Sequence, residues 1–255
     1  MAQNIYDNEA FFAGYSQLPR SIEGLDGAPE WPSLRALLPE LAGRRVLDLG
    51  CGFGWFSRWA RAQGAAEIRG VDLSERMLTR AKAETRDAAI SYVKADLEKF
   101  STAPETFDLA YSSLAFHYIE DLEGLLARIH AALIPDGRLV FSVEHPIYTA
   151  PALPGWSVDS AGHSRWPVDS YLDEGPRSTD WLAKGVIKQH RTIGTYVSRL
   201  LRAGFVISHI EEWGPSKDQV AAHPDWANER QRPMFLLMAC SRSEASSQGQ
   251  PASKR

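Results

Sequence analysis

The sequence predicts an α/β protein with a mostly parallel central sheet and helices on both of its faces, and three observations support this class. Between residues 45 and 143, short apolar runs alternate with longer segments of helical period. Residues 50–54 place three glycines directly after the first apolar run. The 255 residues, 44% of them hydrophobic, suffice for a buried core. Strands that alternate with helices require right-handed crossovers, which cover both faces of a parallel sheet.

The predicted elements of the central region follow in chain order. Residues 1–42 contain one or two short helices and then a helix over 33–41, for which Ser33 is the predicted N-cap. The apolar runs predict strands over 45–49, 67–71, 91–95, 107–112 and 138–143. The segments between them predict helices over 56–63, 74–84 and 122–133, with Ser74 as an N-cap and residues 135–137 as a helix stop.

The chain changes character after residue 145. Residues 146–190 are rich in Pro, Gly, Asp and aromatic side chains and show no clear period, so we expect irregular structure. A helix over 193–203 with Gly204 at its end, and strands over 205–213 and 234–240, resume the regular pattern. Residues 241–255 lack an apolar anchor, and we expect this tail to be disordered.

Composition and charge argue against several classes of protein. The net charge of −4 provides no general basic field for nucleic acid. Cys51 and Cys240 are too few for a disulfide framework or a cysteine zinc site, and they favour a reducing, cytoplasmic setting. The seven histidines are scattered without metal-ligand spacing, so no metal is predicted. No apolar run approaches the roughly 18 residues of a membrane span, and the N-terminus lacks the features of a targeting segment.

The strongest motif is the run Val-Leu-Asp-Leu-Gly-Cys-Gly-Phe-Gly over residues 46–54. Its glycines allow a sharp turn and the close approach of a ligand to the backbone. A dinucleotide fingerprint would need glycine or alanine where Trp55 or Ser57 stands, which argues against a nicotinamide oxidoreductase. The pattern D-x-G-x-G-x-G instead resembles the class I S-adenosylmethionine (SAM)-dependent methyltransferases.

The resemblance continues over residues 40–145. Asp72 lies about 20 residues after the glycines, where a carboxylate accepts from ribose hydroxyls. Residues 94–97 resemble the motif in which a carboxylate, here Asp96, contacts the adenine amine, and residues 107–117 resemble the motif below the sulfonium. Residues 133–139 resemble the turn into the fifth strand. The family implies a Rossmann-like, seven-stranded, mostly parallel sheet.

A narrower resemblance points to a bacterial branch of uncharacterised small-molecule methyltransferases of the type 11/25-like group. It is carried by residues 6–7, 15–21, 143–146 and 190–192. The family implies one domain over 1–240, followed by the tail over 241–255. That domain comprises an N-terminal helical lid over 1–42, a SAM-binding core over 43–145, a substrate cap over 146–190 and the rest of the sheet over 191–240.

The resemblance implies SAM as cofactor, with S-adenosylhomocysteine as its product, and a set of cofactor residues. Asp48 either orients the loop or reaches the methionine amino group through water. Asp72 is alternatively a helix-start carboxylate, and Tyr15 and Arg20 are placed over the SAM carboxylate only by analogy with a lid. The predicted cofactor residues are Tyr15, Arg20, Asp48, Gly50, Cys51, Gly52, Asp72, Leu73, Met77, Asp96, Leu97 and Ser112.

The acceptor side is less defined by motifs. A general base is needed only if the acceptor carries a proton at neutral pH, and His117 and His145 are then the candidates, because histidine titrates near that pH. Glu144 precedes His145, so only one of these two is expected to face the cleft. The aromatic side chains of 146–190 either cap the acceptor or only pack the insertion. The predicted acceptor-binding residues are Tyr148, Trp156, Trp166, Tyr171, His190 and Arg191.

The predicted function is transfer of a methyl group (EC 2.1.1.-) to a small-molecule acceptor by in-line displacement, mainly through orientation of the reactants. Orientation of this kind contributes roughly 7–11 kcal/mol. A SAM-binding protein with a regulatory or other non-transferring role is the alternative, and a nicotinamide oxidoreductase is a weaker one. We expect a monomer or homodimer without a nucleic acid or membrane partner.

Overall fold

The computed structural model describes residues 3–243. The strands are β1 (Arg45–Leu49), β2 (Glu67–Asp72), β3 (Ile90–Lys94), β4 (Phe107–Ser113), β5 (Leu133–Glu144), β6 (Ser157–Val158), β7 (Ser164–Arg165), β8 (Gly175–Trp181), β9 (Ala183–His190), β10 (Phe205–Trp213) and β11 (Phe235–Arg242). The α-helices are α1 (Glu9–Tyr15), α2 (Pro19–Ile22), α3 (Trp31–Ala36), α4 (Trp55–Ala62), α5 (Glu75–Glu84), α6 (Leu122–Ala132), α7 (Pro146–Thr149), α8 (Ile193–Arg202) and α9 (Lys217–Ala222). Short 3-10 helices span Ile5–Asp7, Phe116–Tyr118 and Pro224–Arg230.

Seven strands form the central sheet in the order β10-β11-β5-β4-β1-β2-β3. The strands β1 to β5 run parallel, and β11 is antiparallel to both of its neighbours, β5 and β10. In the centre, Val46 of β1 pairs with Ile68 of β2 on one side and with Leu109 of β4 on the other. The predicted seven-stranded, mostly parallel sheet is confirmed.

Buried side chains cover both faces of this sheet. Val46 packs in a cluster with Phe56 of α4, whereas the next residue, Leu47, packs in a second cluster with Leu125 of α6 and Leu200 of α8. Successive residues of a strand point to opposite faces, so β1 is apolar on both sides, as a central parallel strand requires. The carboxyl ends of the parallel strands lie together at one edge of the sheet, between the helical layers that cover its two faces.

The predicted helix ends are partly confirmed. Ser74 is the N-cap of α5 and accepts a hydrogen bond from Met77 N, and Gly204 follows α8 with a φ of +89°. Ser33 is not an N-cap, because α3 begins at Trp31 and ends at Ala36. The Ser33 hydroxyl instead donates to Glu211 Oε1 at 2.9 Å.

Two predictions for the later part of the chain are wrong. Residues 175–190 form an antiparallel hairpin of β8 and β9 rather than irregular structure. Its first strand is polar and alternates between half-buried and exposed positions, so the sequence contains no apolar run there. Residues 241–242 belong to β11, where Ser241 pairs with Arg138, and are therefore ordered. Residues 244–255 of the predicted tail lie outside the described residues.

Candidate active site

A cavity of about 340 Å³ opens at the carboxyl ends of the parallel strands. Its wall includes Gly50 after β1, Asp72 at the end of β2, Ser113 at the end of β4 and Glu144 at the end of β5. Ligands of open α/β sheets bind at this edge, where the strand order reverses. The volume lies within the usual range of small-molecule pockets. Within residues 3–243 no helix is long and apolar enough to cross a membrane, and no group of three metal-ligating side chains is present.

The glycine loop forms the floor of this cavity with its backbone. The amides of Gly50 and Cys51 both donate to Val71 O, at 2.8 and 3.1 Å, which fixes the loop against β2. Gly50 has a φ of +75°, and a Cβ atom there would lie 2.5 Å from the Cβ of Ala115. Glycine is therefore required at this position both for the turn and for the close approach of the segment after β4.

Asp72 connects the loop to the start of α5. Its Oδ2 accepts from Gly52 N and its Oδ1 accepts from Ser74 N, both at 2.9 Å. Burial raises the pKa of this carboxyl, although the two backbone hydrogen bonds oppose the shift. Asp72 also lines the cavity. The carboxylate therefore holds the helix start, as its alternative interpretation predicts, and faces the predicted ligand at the same time.

Asp48 is buried beneath the glycine loop and also lines the cavity. Its Oδ2 accepts from the Ser57 hydroxyl at 2.6 Å, which joins β1 to α4. Burial raises the pKa of Asp48 to about 7, while the hydrogen bond from Ser57 lowers it. The structural interpretation of Asp48 is thus supported by a specific contact.

Arg20 and Tyr15, which the lid analogy places over the SAM carboxylate, both line the cavity. The two terminal nitrogens of Arg20 donate to the two carboxylate oxygens of Glu30, each at 3.1 Å, and Glu30 is fully buried. Burial alone lowers the pKa of Arg20, but the Glu30 carboxylate outweighs it, and the pKa is raised. The positive charge of the Arg20 guanidinium at the cavity wall is therefore already balanced by the Glu30 carboxylate.

Residues 3–7, which we call the N-terminal strap, run from the β8–β9 hairpin to the start of α5. The Gln3 side chain donates to Gly185 O at 2.8 Å and accepts from Ile187 N at 2.9 Å, both in the β8–β9 hairpin. Asp7 accepts from the Ser74 hydroxyl at 2.5 Å at the start of α5. Gln3, Asn4 and Tyr6 of the strap line the cavity. The sequence analysis did not anticipate these contacts, because they join segments far apart in the chain.

At the opposite end of the cavity, Glu144 is paired with Lys188 of β9. Glu144 Oε1 lies 2.5 Å from Lys188 Nζ, and Lys188 is buried with its ammonium 4.8 Å from the centre of the Trp181 ring. The backbone amide of Glu144 donates to Nδ1 of His117 at 3.3 Å. Burial lowers the pKa of His117 to about 4, so the ring is neutral at pH 7 and carries its proton on Nε2.

His145 points away from this cavity, contrary to its predicted role. Its Nδ1 accepts from Ile147 N at the start of α7, and its Nε2 lies 3.0 Å from Glu212 Oε1. Neighbouring side chains at the end of β5 point in different directions, so Glu144 lines the cavity and His145 does not. The expectation that only one of the two faces the cleft holds, and the glutamate is the one that does.

Several other predicted residues do not line the cavity. Ser112 is buried and donates to Leu49 O at 2.8 Å, which joins β4 to β1. His190 bonds Thr149 Oγ1 at 2.8 Å and Tyr171 O at 2.9 Å, and Arg191 donates to the carbonyl oxygens of Ile119 and Glu120. The residues predicted to contact ligands but placed elsewhere are Ser112, His145, Trp156, Trp166, Tyr171, His190 and Arg191.

The inserted aromatic residues mostly enclose Arg232 instead of an acceptor. The guanidinium of this buried residue lies 4.5 Å from the ring centre of Tyr148, 5.2 Å from that of Trp156 and 4.1 Å from that of Trp166. Of these three rings, only Tyr148 also lines the cavity. Trp181 lines it as well, from the hairpin that the sequence analysis missed. Trp156 and Trp166, which were predicted to cap the acceptor, pack on Arg232 and are not among the residues that line this cavity.

Polar atoms without partners mark where the cavity wall requires a ligand. Asp96 Oδ2, Glu144 Oε2, Ser21 Oγ and Trp55 Nε1 are buried and have no hydrogen-bond partner among residues 3–243. All four side chains line the cavity. Buried polar atoms are normally hydrogen-bonded, so a ligand with several donors and acceptors fits this wall. The other predicted cofactor residues that line it are Gly50, Cys51, Gly52, Leu73, Met77 and Leu97.

Comparison with known proteins identifies the family. Residues 47–141 match the family model of a methyltransferase domain. The chain is 57% identical to a SAM-dependent methyltransferase from Mesorhizobium loti of known crystal structure, with a TM-score of 0.83 over 86% of this chain and 100% of that one. The chain belongs to the SAM-dependent methyltransferases. The predicted family, with SAM as the methyl donor, is thereby confirmed, and the oxidoreductase alternative is set aside.

Relatives of this methyltransferase leave its acceptor open. An uncharacterised protein from Haemophilus influenzae is 34% identical over 94% of this chain and 98% of its own length. A malonyl-[acyl-carrier protein] O-methyltransferase from Enterobacter lignolyticus is 40% identical over 110 residues, which span only 43% of either chain.

Proposed function

We propose that this methyltransferase transfers the methyl group of SAM to a small-molecule acceptor held at the Glu144 end of the cavity. The observation that carries the proposal is that one continuous cavity joins the glycine loop to Glu144 and His117. A donor and an acceptor bound at its two ends would meet beyond the ends of β4 and β5. This is the arrangement that direct transfer between two bound molecules requires.

The cofactor half of the cavity offers contacts that match SAM. Each oxygen of Asp72 accepts one backbone hydrogen bond and keeps capacity for a second, which two ribose hydroxyls would fill. The unpartnered Oδ2 of Asp96 suits the adenine amine. When bound, SAM supplies an electrophilic methyl group on a positively charged sulfur. Gly50 and Gly52 let the cofactor approach the loop backbone.

The residues of the chain then contribute mainly orientation and the exclusion of water. Gln3, Asn4 and Tyr6 of the N-terminal strap line the cavity, and the hydroxyl oxygens of Tyr6 and Tyr118 lie 3.4 Å apart in its wall. Holding two reactants in line is worth roughly 7–11 kcal/mol. A cavity of about 340 Å³ that two molecules share supports a small acceptor. The relative that acts on an acyl-carrier protein matches over less than half its length, so its acceptor is not adopted.

Two measurements test this proposal. Isothermal titration should show that S-adenosylhomocysteine binds with 1:1 stoichiometry and that NADH does not. Incubation with methyl-labelled SAM and a fractionated metabolite extract of the source cells should then give a labelled small molecule. Label found only in protein or RNA would contradict the choice of acceptor. Binding without any labelled product would favour the regulatory alternative.

A further inference from the structure

The acceptor end of the cavity contains a carboxylate of which only one oxygen is bonded. Glu144 Oε1 is held by Lys188 Nζ at 2.5 Å, whereas Oε2 is buried and has no partner among residues 3–243. Lys188 is itself held by its position over the Trp181 ring. The carboxylate is therefore fixed in place, its charge is balanced, and its second oxygen lacks a hydrogen-bond donor.

A second polar side chain of the cavity contacts the backbone of Glu144. His117 also lines the cavity, and its Nδ1 accepts from the backbone amide of Glu144. The neutral ring consequently carries its proton on Nε2, which is free to donate to a bound molecule. The acceptor end thus presents one atom that accepts a hydrogen bond and one that donates.

Resting on the methyl transfer proposed above, we infer that the acceptor molecule carries a hydroxyl group and that Glu144 is the catalytic residue that takes its proton. A hydroxyl group donates its one proton to Glu144 Oε2. One of its lone pairs accepts from His117, and the other remains for attack on the methyl carbon. This combination satisfies both protein groups without using the electrons that the reaction needs.

The other common nucleophiles fit this pair less well. An ammonium ion that gives a proton to Glu144 becomes an amine with a single lone pair, which a hydrogen bond from His117 would occupy. A carboxylate has no proton to give to Glu144 and would bring a second negative charge beside it. A thiol is only a weak donor. The geometry therefore favours formation of an ether over an amine, an ester or a thioether.

The walls around Glu144 indicate the body of the acceptor. The aromatic rings of Tyr6, Tyr118, Tyr148 and Trp181 line the cavity, and Trp181 packs against Lys188, the partner of Glu144. Such rings pack against flat or apolar molecules and exclude water. The favoured acceptor is therefore a small hydroxylated molecule with a flat or apolar body, such as a phenol or an enol.

The transfer step balances without a further reactant. A lone pair of the hydroxyl oxygen forms the new bond to the methyl carbon as the bond from that carbon to sulfur breaks and its electron pair passes to sulfur. The hydroxyl proton passes to Glu144 Oε2. The products are a methyl ether and S-adenosylhomocysteine, and Glu144 returns the proton to water when the ether leaves.

The experiment that tests this inference identifies the bond to the labelled methyl group. Wild-type protein is incubated with methyl-labelled SAM and the metabolite extract, and the labelled product is characterised by mass spectrometry and by its stability to alkali. An alkali-stable methyl ether supports the inference. A methyl ester, N-methyl or S-methyl product overturns it while leaving methyl transfer intact. Absence of any labelled product, with S-adenosylhomocysteine still bound, overturns the proposed function as well.

A pair of variants tests the role of Glu144 on the same labelled fraction. Glu144→Gln keeps the shape but cannot take a proton, so kcat should fall at least about 100-fold, in the range of general base catalysis. The affinity for S-adenosylhomocysteine should stay within twofold, which also shows that the variant is folded. Glu123→Gln, an exposed change on α6, serves as the matched control. An unchanged kcat in Glu144→Gln would overturn the assignment.

Discussion

Arg20 donates hydrogen bonds from both terminal nitrogens to the two carboxylate oxygens of Glu30, and it does so in the wall of the active-site cavity. Glu30 is fully buried, whereas about a fifth of the Arg20 side chain is exposed. The pair joins the segment before α3 to α2, and therefore fixes the N-terminal region against the cofactor half of the site.

Glu30→Ala should destabilise the fold, because it leaves the Arg20 charge without its partner. Breaking a buried pair costs about 3–5 kcal/mol, and the partial exposure of Arg20 places the expected loss near about 3 kcal/mol. Urea unfolding followed by circular dichroism measures it, with the exposed Glu23→Ala as the control. A loss below about 1 kcal/mol would show that solvent replaces the carboxylate.

Asp72→Asn should weaken binding of S-adenosylhomocysteine. The amide keeps the size of the side chain but loses one of two charged acceptor oxygens, and hydrogen bonds to charged groups are worth about 1.5–3 kcal/mol. The dissociation constant should rise roughly 10- to 100-fold in isothermal titration. Asp218→Asn, exposed on α9 and outside the cavity, should bind as wild type does. Equal affinity in both variants would remove Asp72 from the cofactor site.

The stability of the fold should depend on pH through Asp48. Burial raises its pKa from the usual 3.8 to about 7 in the fold, so the native state holds the extra proton between these pH values. Its contribution to stability is complete below about pH 4 and is lost as the pH rises towards 7. Asp48→Asn carries no titrating proton, so its stability relative to wild type should rise between pH 4 and 7. A difference that does not vary with pH would refute the shift.

Gln3→Ala should loosen the N-terminal strap, because it removes both side-chain hydrogen bonds to the β8–β9 hairpin. Each such bond is worth about 0.5–1.5 kcal/mol, and because both are exposed the lower end applies, so the loss of about 1 kcal/mol should make S-adenosylhomocysteine dissociate about 5-fold faster. Stopped-flow fluorescence measures this rate. Gln17→Ala, an exposed change outside the strap, is the matched control. Identical dissociation rates would mean that the strap does not close the cavity.

Trp166→Ala should lower stability and leave catalysis intact. Its ring packs against the guanidinium of Arg232, and its Nε1 donates to Ile147 O at 3.0 Å. A buried cation–π contact is worth up to about 2 kcal/mol, so the unfolding free energy should fall by about 1–2 kcal/mol. The KM for the labelled acceptor should be unchanged. A higher KM with normal stability would restore the cap interpretation.

The cofactor half could be predicted from the sequence because it is built locally. Gly50 and Gly52 come directly after β1 and Asp72 ends β2, and these parallel strands bring the three residues to the same edge of the sheet. The fold around them is equally determined by the alternation of runs and helices. Ser112 was predicted at the site but does not line the cavity. The sequence does not show in which direction the side chain of a β4 residue points, and the Ser112 hydroxyl bonds β1 instead.

The acceptor half depends on relationships that a single sequence does not contain. Glu144 and His145 are both polar, so nothing in the pattern decides which of them enters the cavity. Lys188 lies 44 residues from its partner Glu144, on a hairpin without an apolar run. Arg232 lies outside the insertion in the sequence, yet its guanidinium packs against the inserted aromatic rings. These contacts are tertiary. The sequence therefore predicts which types of residue lie near the acceptor more readily than it predicts which residues contact each other.

The two attachment points of the N-terminal strap have a consequence for how the ligands leave. Gln3 binds the hairpin that contributes Lys188 and Trp181, whereas Asp7 binds the start of the helix beside Asp72. If the strap closes over both ligands, each would strengthen the binding of the other by the same factor. Departure of the first product would then weaken the hold on the second and speed its release.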